Sequence, residues 1–363
     1  MNTHFYALRV RDVRPDTDDA VVVTFDLPDA LAETFRFSAG QYLTLRQQVD
    51  GADLRRSYSI CSGVDDRALS VAVRKVAGGA FSTWVNDALR VGDDIDVMPP
   101  QGTFHVSAPA SGDDLHRGRA FLFIAAGSGI TPILSIMKTV LAREPACRCT
   151  LIYGNRMQST AMFKEEIEDL KNRYMTRVVL HHVFSREQTD TPLSSGRLDR
   201  EKIARVLQTL VGVEAIDHAF ICGPHQVNDE AEMALLDAGL ASERIHIERF
   251  GAPPPVAGAR AEPVRADVAP VARITIVRDG MHREIRFDKT DTSILDAASG
   301  AGLDMPFSCK SGVCCTCRAK LLRGEVRMDR NFALDKHELD AGFVLTCQAY
   351  PVTEEVVLSF DER

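Results

Sequence analysis

The 363-residue chain has no apolar run able to cross a bilayer. Its most apolar segment, Ala120 to Ala126, is far shorter than the ~20 residues a membrane helix requires. The opening MNTHFYALRVRD holds no apolar stretch long enough for a signal peptide. Basic excess is missing too, and a net charge of −8 argues against nucleic-acid binding. There is no internal repeat and no Ser-His-Asp or H-E-x-x-H pattern. The adjacent His181 and His182 point to opposite faces of one strand and form no ligand set. Nine cysteines, an odd count, do not make a disulfide framework and suit a reducing compartment. The expectation is a cytoplasmic protein with neither a membrane nor a nucleic-acid partner.

What is present is ordinary globular composition, 45% hydrophobic and 26% charged, over a length that fits two or three domains. Residues 1–112 alternate apolar and polar in six short runs with one helical stretch, Phe81 to Leu89, and predict an antiparallel β-barrel. In residues 113–250 the pattern changes. Buried strands such as AFLFIAA, CTLIYG, RVVLHHVF and HAFICG alternate with helical stretches, which predicts an α/β domain with a parallel sheet. Residues 251–271 carry five prolines and read as a semi-rigid linker. Residues 272–363 begin with an expected hairpin, ARITIVRDG and HREIRFD, followed by the helix SILDAASGAG, an α+β pattern. The charged helix Met162 to Tyr174 reads as a solvated face, not a metal site.

Near the C-terminus Cys309, Cys314, Cys317 and Cys347 read C-x4-C-x2-C followed by a distant single cysteine. That is the plant-type spacing for a [2Fe-2S] cluster. Structural zinc would usually show two short C-x2-4-C knuckles, so iron–sulfur is the stronger of the two readings. Gly312 is expected to let the loop turn where a Cβ would crowd the inorganic sulfides. Cys315 reads as a bystander.

Three segments upstream suit nucleotides. Arg56-Ser57-Tyr58-Ser59 lies on a barrel strand, Val73-Arg74 ends another, and Gly78-Gly79-Ala80-Phe81-Ser82 opens the barrel helix. Glycines before a helix leave N–H groups for a pyrophosphate, arginine adds a charged fork, and tyrosine offers a face for a flat ring. Gly127-Ser128-Gly129-Ile130-Thr131-Pro132 follows a buried strand and opens a helix, which suits close approach to a phosphate. It is not the G-x-G-x-x-G fingerprint, and by itself it is weak. Ser185-Arg186-Glu187-Gln188 reads equally as a plain polar loop, and Cys222-Gly223-Pro224 as strand-end packing.

Together the R-x-Y-S strand, the G-x-F-S helix start and the G-x-G-x-x-P turn resemble the ferredoxin–NADP reductase family. The resemblance implies an FAD-binding barrel, an NADP-binding α/β domain and a β-grasp-like ferredoxin domain. It implies that Tyr58 and Ser59 line the isoalloxazine, with Arg56, Gly79 and Ala80 to Ser82 on the pyrophosphate and Val73 and Arg74 beside them. It assigns Gly127, Ser128, Gly129, Thr131 and Pro132 to the nicotinamide dinucleotide, and Ser185 and Arg186, joined by Arg156, to the 2′-phosphate of NADPH. NADH is the second coenzyme expected. Cys222, Gly223 and Pro224 would meet the nicotinamide, Phe250 would cover the flavin, and Glu248 would approach its reactive edge together with Ser59. Module order and stretches such as AAGSGITPIL and CKSGVCCTCRAKLLRGEV resemble the phenylacetyl-CoA epoxidase type of reductase, and the order alone also the phthalate dioxygenase type. The implied partner is a di-iron oxygenase. Other acceptors, or a non-enzymatic redox sensor on the same scaffold, are the competing readings.

Overall fold

The computed structural model describes residues 4–107, 118–251, 271–288 and 290–362. They fall into two units, one running from His4 to Phe250 and the other from Gly251 onward. The linker expected over 251–271 and the boundary expected at 112/113 lie, apart from Gly251 and Val271, outside the described residues.

Six strands open the first unit: β1 (Tyr6–Thr17), β2 (Ala20–Asp26), β3 (Tyr42–Val49), β4 (Ala52–Ser59), β5 (Leu69–Arg74) and β6 (Asp94–Gln101). They pair antiparallel in the order β4-β3-β6-β1-β2-β5. An Ile60–Val71 bridge joins the two ends and closes the barrel. Helix α1 (Ala80–Asp87) buries Phe81 and Val85 in the barrel core beside Leu43, Val71 and Val97. Each such side chain removed from water contributes roughly 1.5–3 kcal/mol. Strand β2 is buried on both faces, as is most of β5. Val21, Val23, Val71 and Val73 fill the barrel, while Ala20, Val22 and Ala72 join the core of the next domain.

That domain is a five-stranded parallel sheet of β7 (Ala120–Ala126), β8 (Arg148–Asn155), β9 (Val178–Phe184), β10 (His218–Gly223) and β11 (Ile245–Arg249), ordered β11-β10-β7-β8-β9. Phe121, Phe123 and Ala125 of β7 face α2 (Ile130–Arg143) and α3 (Lys164–Arg173). Leu122 and Ile124 face α4 (Arg200–Leu210) and α5 (His225–Asp237). Strand β11, which the sequence pattern did not single out, carries Glu248. Among the described residues no helix is long and apolar enough to cross a membrane.

The second unit pairs β12 (Val271–Arg278) and β13 (Met281–Asp288) as a hairpin. With β14 (Arg318–Arg323), β16 (Phe343–Leu345) and β18 (Glu355–Ser359) they make a mixed sheet, β13-β12-β18-β14-β16. Strands β15 (Val326–Met328) and β17 (Ala349–Pro351) form a separate pair. Helix α6 (Ile294–Gly300) starts where the Ser293 hydroxyl accepts the Asp296 N–H at 3.1 Å, and its Leu295 joins Ile274, Phe287 and Leu358 in the core.

Candidate flavin, dinucleotide and cluster sites

In the barrel, β4 turns Tyr58 toward α1, where it stacks on Phe81 at 6.0 Å with rings 29° apart. Desolvation raises the Tyr58 phenol well above its ordinary value, so it stays neutral. Arg56 is exposed and Ser59 buried. Not every residue of the expected flavin set offers a side chain. Phe81 and Val73 fill the barrel core. The Val73 carbonyl already accepts from Asn86 Nδ2 at 3.1 Å. The Ser82 hydroxyl accepts the Val76 N–H at 3.0 Å and so closes the glycine turn. A Cβ on Gly79 would sit 2.8 Å from that hydroxyl, which explains the glycine. What remains open to a phosphate is the backbone at the start of α1, where no side chain caps the N–H groups. An FAD pyrophosphate fits that cradle.

Arg74 also makes contacts within the protein. Its Nε donates to Asp19 at 3.2 Å, its Nη2 donates to the Thr160 carbonyl of the parallel-sheet domain, and its Nη1 lies beside Gly127. It ties the barrel to the glycine turn. Further ties are the Ser135 hydroxyl donating to the Ser62 carbonyl at 2.7 Å and Arg143 bridging to Asp65 at 2.8 Å.

The turn at Gly127 follows β7, the first strand of its sheet, whose neighbours are β8 and β10. This is the switch point of an open parallel sheet, where ligands bind at the carboxyl ends of the strands. Gly127 has φ +55°. Its carbonyl accepts from the buried Tyr153 hydroxyl at 3.0 Å. Gly129 is needed for a reason the motif does not reveal: a Cβ there would lie 2.0 Å from the Cys222 carbonyl oxygen. Thr131 is buried and donates to the Ser128 carbonyl at 3.0 Å. Pro132 lies in the first turn of α2.

Ladder registers set Ala125, Cys222 and Glu248 abreast on β7, β10 and β11. Residues abreast in parallel strands share a face. Here it is the one turned to the barrel, because Cys222 packs in a core cluster with Cys61, two residues beyond Ser59. Part of Glu248 remains accessible, yet desolvation of its carboxyl raises its pKa to about 8. Burial, then the charge of Glu248, pushes the Cys222 thiol far up and keeps it protonated. Asn228 Nδ2 donates to the Glu248 carbonyl at 3.0 Å and anchors the strand end. Pro224 caps α5, and Phe250 is 39% exposed.

Beyond β8 and β9 two loops zip together. Ser185 N–H donates to the Asn155 carbonyl at 2.9 Å, and Arg186 N–H to the Arg156 carbonyl at 2.8 Å. Arg156 and Arg186 are both exposed, and among the described residues neither guanidinium has a partner. Glu187 accepts the Gln158 N–H at 2.7 Å instead of pairing with either arginine.

In the second unit the four cysteines converge. The Cys309 thiol neighbours those of Cys314 and Cys347, and the Cys317 thiol neighbours that of Cys347. Cys309 Sγ also accepts the Ser311 N–H at 3.3 Å, and Cys347 Sγ receives Gln348 Nε2 at 3.7 Å. Contact with the Cys314 and Cys347 thiols draws Cys309 far down, toward thiolate. Among the described residues no three His, Cys, Asp or Glu groups close on a common point as one metal ion requires. The neighbouring thiols run Cys314–Cys309–Cys347–Cys317 and supply four sulfurs, the donor set that a [2Fe-2S] cluster uses. Gly312 has φ +79°, and a Cβ there would stand 3.1 Å from the Arg330 carbonyl. Its freedom thus serves the loop's own packing. Cys315 directs its sulfur at the Ala333 carbonyl, 3.4 Å away.

Three family descriptions match in turn: an oxidoreductase FAD-binding domain over residues 8–106, an oxidoreductase NAD-binding domain over 123–232, and a 2Fe-2S iron-sulfur cluster binding domain over 276–352. The chain is an NAD(P)H-dependent flavin and iron–sulfur oxidoreductase. It is 44% identical to a subunit of the 1,2-phenylacetyl-CoA epoxidase of Escherichia coli K12, over 99% of both chains. It is 32% identical to the ferredoxin reductase component of 3-ketosteroid-9-alpha-monooxygenase of Rhodococcus rhodochrous, over 97% of this chain and 96% of that one. It belongs to this family of ferredoxin–NADP reductase-like proteins with a C-terminal [2Fe-2S] domain. Phthalate dioxygenase reductase has the same fold, with a TM-score of 0.59 and 24% identity over 98% of each chain.

Proposed function

We propose that the chain is the reductase component of a di-iron oxygenase acting on phenylacetyl-CoA, and that it draws its electrons from NADPH. The observation that carries the acceptor is the 44% identity with a subunit of a 1,2-phenylacetyl-CoA epoxidase, over 99% of both chains. When bound, FAD accepts a hydride and the cluster passes electrons on singly. The residues of this chain hold and orient these groups. Arg56 and the start of α1 bind the flavin diphosphate. Gly127 to Pro132 and Cys222 to Pro224 flank the switch point and seat the nicotinamide dinucleotide. Ser59 and the Glu248 carboxyl face the reacting edge, where a group with a pKa of about 8 can hold a proton at neutral pH. Cys309, Cys314, Cys317 and Cys347 ligate the cluster.

Coenzyme choice rests on Arg156 and Arg186, two cations on adjacent loops whose guanidinium groups have no partner among the described residues. An NADH site would be expected to place an acidic group on the ribose, and Glu187 is engaged elsewhere. Charge-assisted hydrogen bonds contribute about 1.5–3 kcal/mol, so Arg186→Ala should raise KM for NADPH roughly 10- to 100-fold and leave NADH unchanged. An unchanged NADPH/NADH preference would overturn the 2′-phosphate assignment. The acceptor is tested by reconstitution with a di-iron phenylacetyl-CoA epoxidase and scored by epoxide formed. Electron transfer to cytochrome c without epoxide formation would point to another oxygenase.

A further inference from the structure

We propose that Gln348 raises the reduction potential of the cluster by donating a hydrogen bond to the Cys347 sulfur. The inference rests on the [2Fe-2S] reading of the four cysteines and adds a residue that their spacing does not single out. Gln348 Nε2 donates to Cys347 Sγ at 3.7 Å, to the Cys347 carbonyl at 2.9 Å and to the Lys310 carbonyl at 3.0 Å. One amide thus joins the last cysteine to the loop that carries the other three.

Backbone bonds and packing hold this side chain in place. The Gln348 N–H donates to the Leu345 carbonyl at 2.9 Å, and the Gln348 carbonyl accepts the Asp329 N–H at 3.0 Å. A Cβ on Gly312 would stand 3.2 Å from Gln348 Cγ, so the glycine leaves the room that the side chain uses. Nearby hydroxyls are engaged with carbonyls: Thr346 donates to that of Cys317 at 2.9 Å, and Thr316 to that of Cys314 at 3.4 Å. The Ser311 N–H on Cys309 Sγ belongs to the main chain and survives a side-chain replacement. Gln348 is a donor to sulfur that a point substitution takes away. A cluster that takes up one electron gains one negative charge, and an N–H aimed at a ligand sulfur stabilises the more negative state. Loss of that donor should favour the oxidised cluster about tenfold at a fixed potential, which lowers the midpoint of a one-electron couple by about 59 mV. Gln348 acts through Cys347 and is a positioning residue.

The test is a redox titration of the full-length, cluster-loaded chain, followed by EPR. Gln348→Met keeps the length of the side chain and removes the donor. It should shift the reduced-to-oxidised ratio about tenfold, a midpoint about 59 mV lower, with cluster content unchanged. Gln348→Lys keeps a donor and should hold the wild-type midpoint or exceed it. A wild-type midpoint in Gln348→Met overturns the proposal. An equal fall in both variants also overturns it, because packing alone would then explain the shift. If Gln348→Met fails to load its cluster, the wild-type chain decides. With isotopically labelled nitrogen in its glutamine side-chain amides, the reduced cluster should show a coupling to that nitrogen in pulsed EPR, and no coupling overturns the proposal. A wild-type chain without a [2Fe-2S] signal would instead bring down the cluster reading, and the proposal with it.

Discussion

Replacing Gly129 with alanine isolates one backbone contact on which the dinucleotide site depends. The added Cβ would stand 2.0 Å from the Cys222 carbonyl oxygen, 2.4 Å from its carbon and 2.8 Å from the Gly223 nitrogen. All three are main-chain atoms, so no side-chain rotation relieves the clash. To reach ordinary contact near 3.4 Å, the turn must retreat from β10 by more than 1 Å. Overpacking of this kind costs roughly 1–3 kcal/mol. For a domain of this size that lowers Tm by about 2–4 °C per kcal/mol. The functional loss should be larger, because a displacement of about 1 Å in a positioned site can cost on the order of 100-fold. Gly239→Ala is the control: φ there is +92° but nothing lies within 4 Å of the added carbon, so it carries only the left-handed backbone cost of about 1–2 kcal/mol. The assay is stopped-flow bleaching of the flavin band by NADPH, alongside a thermal melt. The expected result is a ~100-fold slower bleaching for Gly129→Ala, with the cluster absorbance retained. Gly239→Ala should melt lower and bleach normally. Wild-type bleaching in Gly129→Ala would refute the argument that this contact positions the dinucleotide turn.

Two further perturbations probe the same unit. The Arg119–Glu144 ion pair is buried, with side chains 7% and 8% exposed, and Arg119 also donates to the Ser107 carbonyl at 3.0 Å. Glu144→Gln leaves a buried guanidinium without its charge partner and should cost about 3–5 kcal/mol in urea unfolding; a change below 1 kcal/mol would show that the pair is not desolvated. The Glu248 carboxyl has a pKa raised from 4.5 to about 8 by burial, so the folded, flavin-free chain binds more protons than the unfolded chain between those values. Its stability should therefore fall as pH rises from about 4.5 to about 8, and Glu248→Gln should flatten that slope; an identical slope in both proteins would mean the carboxyl is solvated.

The cluster loop was legible because its chemistry is written as spacing: four sulfurs must reach two irons, and few separations allow it. The barrel was legible for a weaker reason. Its alternating runs fix strands β1, β3, β4 and β6, but β2 reads AVVVTFD and is buried on both faces. That run carries the docking of the two domains, which one-dimensional alternation does not display. The glycines have a second reason that spacing does not display. Gly129 and Gly312 answer to neighbouring carbonyls in the fold, at Cys222 and Arg330, and neither neighbour is near in sequence. Val73, Phe81 and Ser82, expected in the flavin set, also pack the barrel and close its glycine turn, which the motif does not display. Tyr153, which fixes the glycine turn from the neighbouring strand, gave no signal beyond an aromatic residue late in a buried run.

The same distinction explains how Glu248 is positioned. Nothing in the sequence around it marks a reactive carboxyl, and β11 is short and only half-buried along its length. Its placement is inherited through two ladders: β7 carries the glycine turn, β10 registers Cys222 against Ala125, and β11 registers Glu248 against Cys222. A slip of one residue in either ladder would turn the carboxyl to the opposite face of the sheet, away from the barrel. Ile245 and Ile247 oppose that slip, because they pack on the opposite core with Leu235 and would be exposed to the barrel side by it. The apolar residues of β11 thus set the direction of its one carboxylate. Ile247→Ser should loosen Glu248 without touching it, and the flattening of the pH slope expected for Glu248→Gln should appear in that variant as well.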